Sequence, residues 1–147
     1  MKNKLKNIEI GVGIGELKFG MTPEMVVDIL GEPDEKETEN FSEVDPDFYS
    51  EEWHYDDLEL SLSFDMLEQM ELGTISVSSD HYLFEGEHLI GLSRKKVDEL
   101  LKKMDLSPKW EEFKEIEEGG DLLTNEDEGL SFWYEDGILI EIQWEIL

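Results

Sequence analysis

The sequence predicts an α+β fold made of two tandem units, each a helix followed by an antiparallel sheet, with the helices packed on one sheet face. Three observations lead there. A pattern running Phe19-Gly20-Met21-Thr22-Pro23-Glu24-Met25-Val26-Val27-Asp28-Ile29-Leu30 returns 71 residues later as Ile90-Gly91-Leu92-Ser93-Arg94-Lys95-Lys96-Val97-Asp98-Glu99-Leu100-Leu101. Self-similarity at such a spacing marks a repeated structural unit. Downstream of each copy, apolar residues alternate with polar ones, which is the period of half-buried strands. Finally, 147 residues without a cysteine must be held by packing alone, in a core that buries roughly 68–70% of the unfolded surface. The units divide into 1–82 and 83–147 within one body.

Taken in order, Ile8, Ile10, Val12 and Ile14 alternate with Glu9, Gly11 and Gly13 and predict a short opening strand. Thr22 then supplies a helix N-cap and Pro23 the first helical position. Met25, Val26, Ile29 and Leu30 point inward, and Gly31 with Pro33 ends the helix. From Asp34 to Glu52 the chain is acidic and irregular, anchored by Phe41, Val44, Phe48 and Tyr49, and reads as a loop or a second short helix. Strand alternation resumes at Leu58, Leu60, Leu62 and Phe64, and again at Ile75 and Val77.

In the second unit Ser93 is the cap, and Val97, Leu100, Leu101 and Met104 form the helix face. Trp110, Phe113 and Ile116, three residues apart within Lys109 to Gly120, predict another short helix and hence a helical hairpin. Leu130, Phe132 and Tyr134 lead through Glu135-Asp136-Gly137 to Ile138, Ile140, Ile142 and Trp144. A two-residue Asp136-Gly137 loop would pair Phe132 with Glu141 and place a carboxylate beside core aromatics. A three-residue loop with Gly137 left-handed instead pairs Tyr134 with Ile138, Phe132 with Ile140 and Leu130 with Ile142. That register sets Trp133 opposite Leu139 on the outer face, among Ser131, Glu135, Glu141 and Gln143.

The residues Phe19-Gly20-Met21-Thr22, Val26, Leu30, Gly31 and Pro33, echoed by Gly91, Leu92, Ser93, Val97 and Leu101, give the chain a resemblance to the tandem-repeat β-lactamase-inhibitor-protein-like fold. The single unit also resembles the small lipoprotein of the outer-membrane barrel-assembly machinery. The resemblance implies a protein that grips another protein with its sheet face and loops. It transfers no individual functional residue, and the chain has neither the inhibitors' disulfides nor a lipobox cysteine.

Charge narrows the function. There are 39 acidic side chains against 12 basic ones, a formal net charge of −27. Lys and Arg are absent from Glu37 through Ser93 and from Glu115 to the end, while seven of the twelve fall between Arg94 and Lys114. Such a field repels nucleic acid and anionic membrane and speeds encounter with a basic partner. No stretch reaches the roughly 20 apolar residues of a membrane span. The positive flank of Met1 to Lys6 is followed by a run broken by Glu9 and three glycines, so it reads as the approach to a strand. A reducing cytoplasm suits the missing cysteines.

Candidate chemistry is sparse. Gly11-Val12-Gly13-Ile14-Gly15 lacks the third glycine of a dinucleotide fingerprint and reads as a bulged strand. His81 and His88, with Asp80, Glu85 and Glu87, match no familiar metal-site spacing and read as a solvated linker. Asp45, Asp47, Glu51 and Glu52, like Asn125 to Glu128, lack the alternation and mid-loop glycine of a calcium loop. Paired acids carry no information in so acidic a chain, and no nucleophile-elbow pattern appears. No catalytic residue, metal ligand or cofactor is therefore assigned. Trp53-His54-Tyr55-Asp56-Asp57 and Trp133-Tyr134-Glu135-Asp136 mix aromatics with acids as an interface anchor does. The predicted partner-binding residues are Trp133, Leu139, Glu135, Glu141, Trp53, Tyr55, Asp56 and Asp57. The expectation is a non-enzymatic bacterial binding module, of the immunity or inhibitor type, for a basic partner such as a toxin. The alternative is a housekeeping domain whose acidity serves solubility only and which binds a small cation or peptide.

Overall fold

In the computed structural model, which describes residues 5–40, 49–66, 70–117 and 120–146, the hydroxyl residue of each motif copy caps a helix. Strands β1 (Asn7–Glu9), β2 (Gly13–Ile14) and β3 (Leu17–Lys18) precede helix α1 (Pro23–Leu30), and β4 (Glu35–Asn40), β5 (Tyr49–Tyr55), β6 (Leu60–Met66) and β7 (Met70–Val77) follow it. Then β8 (Leu83–Phe84) precedes α2 (Arg94–Leu101), followed by β9 (Glu111–Glu117), β10 (Gly120–Asn125), β11 (Leu130–Glu135) and β12 (Ile138–Glu145). Thr22 Oγ1 accepts from the Met25 N–H and Ser93 Oγ from the Lys96 N–H, both at 3.3 Å. Val26 and Leu30 of α1, and Val97 and Leu101 of α2, are buried. Met25 turns outward with 52% exposure, against the expectation that it faces the core.

The strands form two sheets. The larger has eight in the order β4-β5-β6-β7-β12-β11-β10-β9, and the smaller runs β3-β2-β1-β8. Two four-strand meanders meet at the antiparallel β7–β12 pair, and β8 returns to pair in parallel with β1. The class is mainly β, which corrects the α+β expectation of two repeated units roofed by helices. Length gives the reason: an eight-residue helix is about 12 Å long, whereas eight strands span roughly 34 Å. The inner face is covered instead by the two helices together with the smaller sheet. Trp144 donates its indole N–H to Gly13 O at 3.1 Å, Phe84 meets Phe132 edge to face at 5.6 Å, and Tyr82 donates to Leu58 O at 2.6 Å. A Cβ on Gly13 would lie 2.0 Å from Leu17 O, so β2 requires glycine where it pairs with β3.

The recurring motif also has a backbone role. Gly20 N–H donates to Leu72 O and Leu72 N–H to Met21 O, both at 2.9 Å. In the same way Gly91 N–H donates to Leu139 O at 2.8 Å and Leu139 N–H to Leu92 O at 3.0 Å. Gly20 and Gly91 stand at φ 91° and 95°, a region that favours glycine. Each motif thus clamps one residue beside a β-bulge, Leu72 before Gly73 and Leu139 before Ile140.

That bulge overturns the expected β11–β12 register. Asp136 and Gly137 have φ 50° and 78° and form the two-residue turn. Ile140 is the extra residue, so Tyr134 pairs with Leu139, Trp133 with Glu141 and Phe132 with Ile142. Glu141 thereby lies opposite Trp133 and not opposite the core residue Phe132. Ile138 and Ile140 are exposed and Leu139 is fully buried, the reverse of what was expected.

The helix expected after Lys109, and the segment from Asp34 to Glu52 that read as a loop or a short helix, both contribute strands. Within Lys109 to Gly120, Glu111–Glu117 is edge strand β9: Phe113 pairs with Leu122 on the outer face, while Trp110, just before it, packs on Phe132 at 5.6 Å. Their three-residue spacing serves two different surfaces. The acidic Asp34 to Glu52 segment supplies edge strand β4 and most of β5, and Phe41, Val44 and Phe48 lie outside the described residues. Both edges of the large sheet are thickly charged, which discourages edge-to-edge association.

Candidate functional site

The outer face of the large sheet is built by alternation. Inward positions such as Leu60, Leu62, Ile75, Phe132 and Trp144 are buried, whereas their outward neighbours are half-buried or exposed. One register row crosses all eight strands, running Glu35, His54, Ser61, Ser76, Gln143, Ser131, Thr124 and Glu111. Its middle is a low shelf of hydroxyls and one amide. Beside it on one side run Glu37, Glu52, Ser63, Thr74 and Glu145. On the other side run Phe113, Leu122, Trp133 and Glu141. Apart from His54, every ionisable residue in these rows is acidic.

Trp133, Leu122 and Phe113 are cross-strand neighbours, so an aromatic and apolar patch stands directly against a carboxylate. Burial beside Trp133 pushes the Glu141 carboxyl above its ordinary range, and a hydrogen bond from Ser76 opposes this in part. Glu141 is held where hydration is poor and charge is costly. An arriving cationic group would relieve that cost.

The residues expected to bind a partner divide by burial. Trp133, Glu135 and Glu141 lie on the outer side of β11 and β12. Leu139 is core, 0% exposed. Trp53 and Tyr55 are also core, at 2% and 5% exposure. Trp53 packs on Phe64 at 4.7 Å, donates to Glu51 Oε1 at 2.5 Å and lies under Lys36 Nζ at 4.6 Å. Tyr55 donates to Gly31 O at 2.8 Å. Burial, aided by Glu32 and Asp34, pushes its phenol up to about 12, so it remains a neutral donor. Asp56 and Asp57 are exposed in the β5–β6 turn, where the Asp56 N–H donates to Asp34 Oδ2 at 2.7 Å. These two acids are separated from the Trp133 patch by β6, β7 and β12.

Three members of this surface were missed in the sequence. Leu122 was hidden because it adjoins Leu123, which faces inward, and Phe113 because its spacing reads as helical. His54 sits beside the cross-strand pair Glu37 and Glu52, a grouping that only strand pairing assembles. Alternation within Glu52-Trp53-His54-Tyr55 was the available signal. Elsewhere, His88 Nδ1 lies 2.6 Å from Asp80 O, and the grouping of His81 and His88 with acids forms no metal cluster among the described residues. A separate cleft of about 440 Å³ beside α2 is floored by Leu101, Met104, Leu106, Trp110 and Leu123.

Among the described residues no helix is long and apolar enough to cross a membrane. Comparison with protein-family profiles, characterised proteins and solved structures returns no match.

Proposed function

We propose that this protein is a non-catalytic binding module that docks a basic protein on the outer face of its large sheet, as an immunity or inhibitory partner does. The observation that carries the reading is the composition of that face. A shelf of small hydroxyl residues spans the central strands, its ionisable positions are acidic apart from His54, and Trp133 stands beside it with Leu122 and Phe113. Small side chains let another backbone or long Lys and Arg side chains approach closely. Carboxylates steer and pair with them, while the half-exposed indole supplies the desolvated anchor that typically dominates interface energy. The net charge of −27 favours fast encounter with a cationic surface.

The test is affinity capture from the source organism's lysate at low and high salt, with Trp133→Ala beside the parent and bound proteins identified by mass. A basic protein held by the parent at low salt, and lost both at high salt and in the variant, supports the reading. Identical recovery by parent and variant would place any interface elsewhere and defeat it.

A further inference from the structure

We propose that Glu37, Glu52 and His54 form a site for a divalent transition metal of the zinc class at the β4–β5 end of the outer face. The site is independent of the partner reading. His54 Nε2 lies 3.6 Å from Glu37 Oε2 and 4.0 Å from Glu52 Oε2, and one ligand atom from each residue falls within 4.8 Å of the others. Cross-strand pairing fixes this arrangement, because Glu37 pairs directly with Glu52 and His54 follows two residues later on the same face.

Two features beyond acidity point to a metal. His54 Nδ1 lies 2.8 Å from Ser61 Oγ, on the neighbouring strand and outside the triad. In the tautomer whose Nδ1–H donates to that hydroxyl, Nε2 aims its lone pair at the two carboxylates. An anchored second nitrogen is the usual support of a metal-ligating imidazole. Next, a cleft of about 510 Å³ opens beside Glu37 and His54, lined also by Glu35, Asp56, Glu59 and Ser61. It leaves room for water or an exogenous ligand to complete the coordination shell. No Lys or Arg occurs from Glu37 through Ser93, and the adjacent Lys36 is committed to Glu32 at 3.2 Å and to the Trp53 ring.

Zinc bonds of roughly 2.0–2.2 Å require ligand atoms a little over 3 Å apart, so the triad must contract modestly. Glu37 and Glu52 side chains are 57% and 42% exposed, which leaves their carboxylates free to swing inward. One imidazole with two carboxylates selects zinc-like ions over magnesium or calcium, which favour all-oxygen shells.

The experiment titrates the chelator-treated full chain with ZnCl₂ by calorimetry and follows the imidazole resonances by NMR. His54→Ala, Glu52→Gln and the control His88→Ala are run in parallel, each checked for native circular dichroism. One zinc ion per chain, a selective shift of the His54 Nε2 resonance, and at least about tenfold weaker binding in the first two variants, with none in the control, are expected. Unchanged affinity in His54→Ala overturns the proposal. So does a parent that takes up zinc, magnesium and calcium alike at several weak sites with no His54 shift.

Discussion

Leu139 and Ile140 are adjacent isomers in β12, yet one is 0% and the other 40% exposed, so truncating each to alanine tests which of them faces the core. Leu139→Ala removes three carbon groups from full burial, a transfer loss of about 2.4 kcal/mol at ~0.8 per group. An unfilled cavity raises the expected cost to about 3 kcal/mol. Ile140→Ala removes the same atoms from a surface position and should cost about 1 kcal/mol or less. For a chain of this size, melting shifts of ~2–4 °C per kcal/mol correspond to drops of about 6–12 °C and no more than about 4 °C. Urea unfolding followed by tryptophan fluorescence, with scanning calorimetry beside it, measures both. A larger loss for Ile140→Ala than for Leu139→Ala would refute the observed register and restore the three-residue loop, which turns Ile140 inward.

Three further outcomes follow from the same geometry. Trp133→Ala should change unfolding free energy by only about 1 kcal/mol while weakening partner binding by about 2 kcal/mol or more; titration calorimetry with the captured partner, beside urea unfolding, separates the two effects. Burial raises the Glu141 carboxyl in the folded state, so its contribution to stability is complete below the ordinary carboxylate range and is lost as pH rises through the raised folded value. Glu141→Gln should therefore melt above the parent at pH 7, with the difference shrinking towards pH 4, and a pH-independent difference would contradict it. Gly13→Ala places a methyl against Leu17 O and should destabilise by at least about 1–3 kcal/mol, read from the urea midpoint.

Local chemistry was legible where one residue does one thing. Thr22, Pro23 and Ser93 announce their caps, and the alternation of Leu60, Leu62 and Phe64 announces β6. Pairing partners were not legible, because they are decided far along the chain. Strand β4 has no apolar residue from Glu35 to Asn40 and exists through its ladder with β5. Each copy of the recurring motif caps a helix, but its clamp on Leu72 and Leu139 depends on bulges that no local pattern shows. At the candidate site the outward placement of Trp133 was readable from alternation. The burial of Trp53, Tyr55 and Leu139 was not, since mixed aromatic and acidic runs look alike on either face. Only the assembled sheet brings Phe113, Leu122, Trp133 and Glu141 into one row.

The outer face as a docking surface for a basic protein is tested most directly by the association rate of the captured partner, measured by stopped flow between about 0.05 and 0.5 M salt. Carboxylate steering predicts a fall of about tenfold or more across that range, with Trp133→Ala accelerating dissociation and leaving the salt slope intact. An association rate independent of salt would contradict the account.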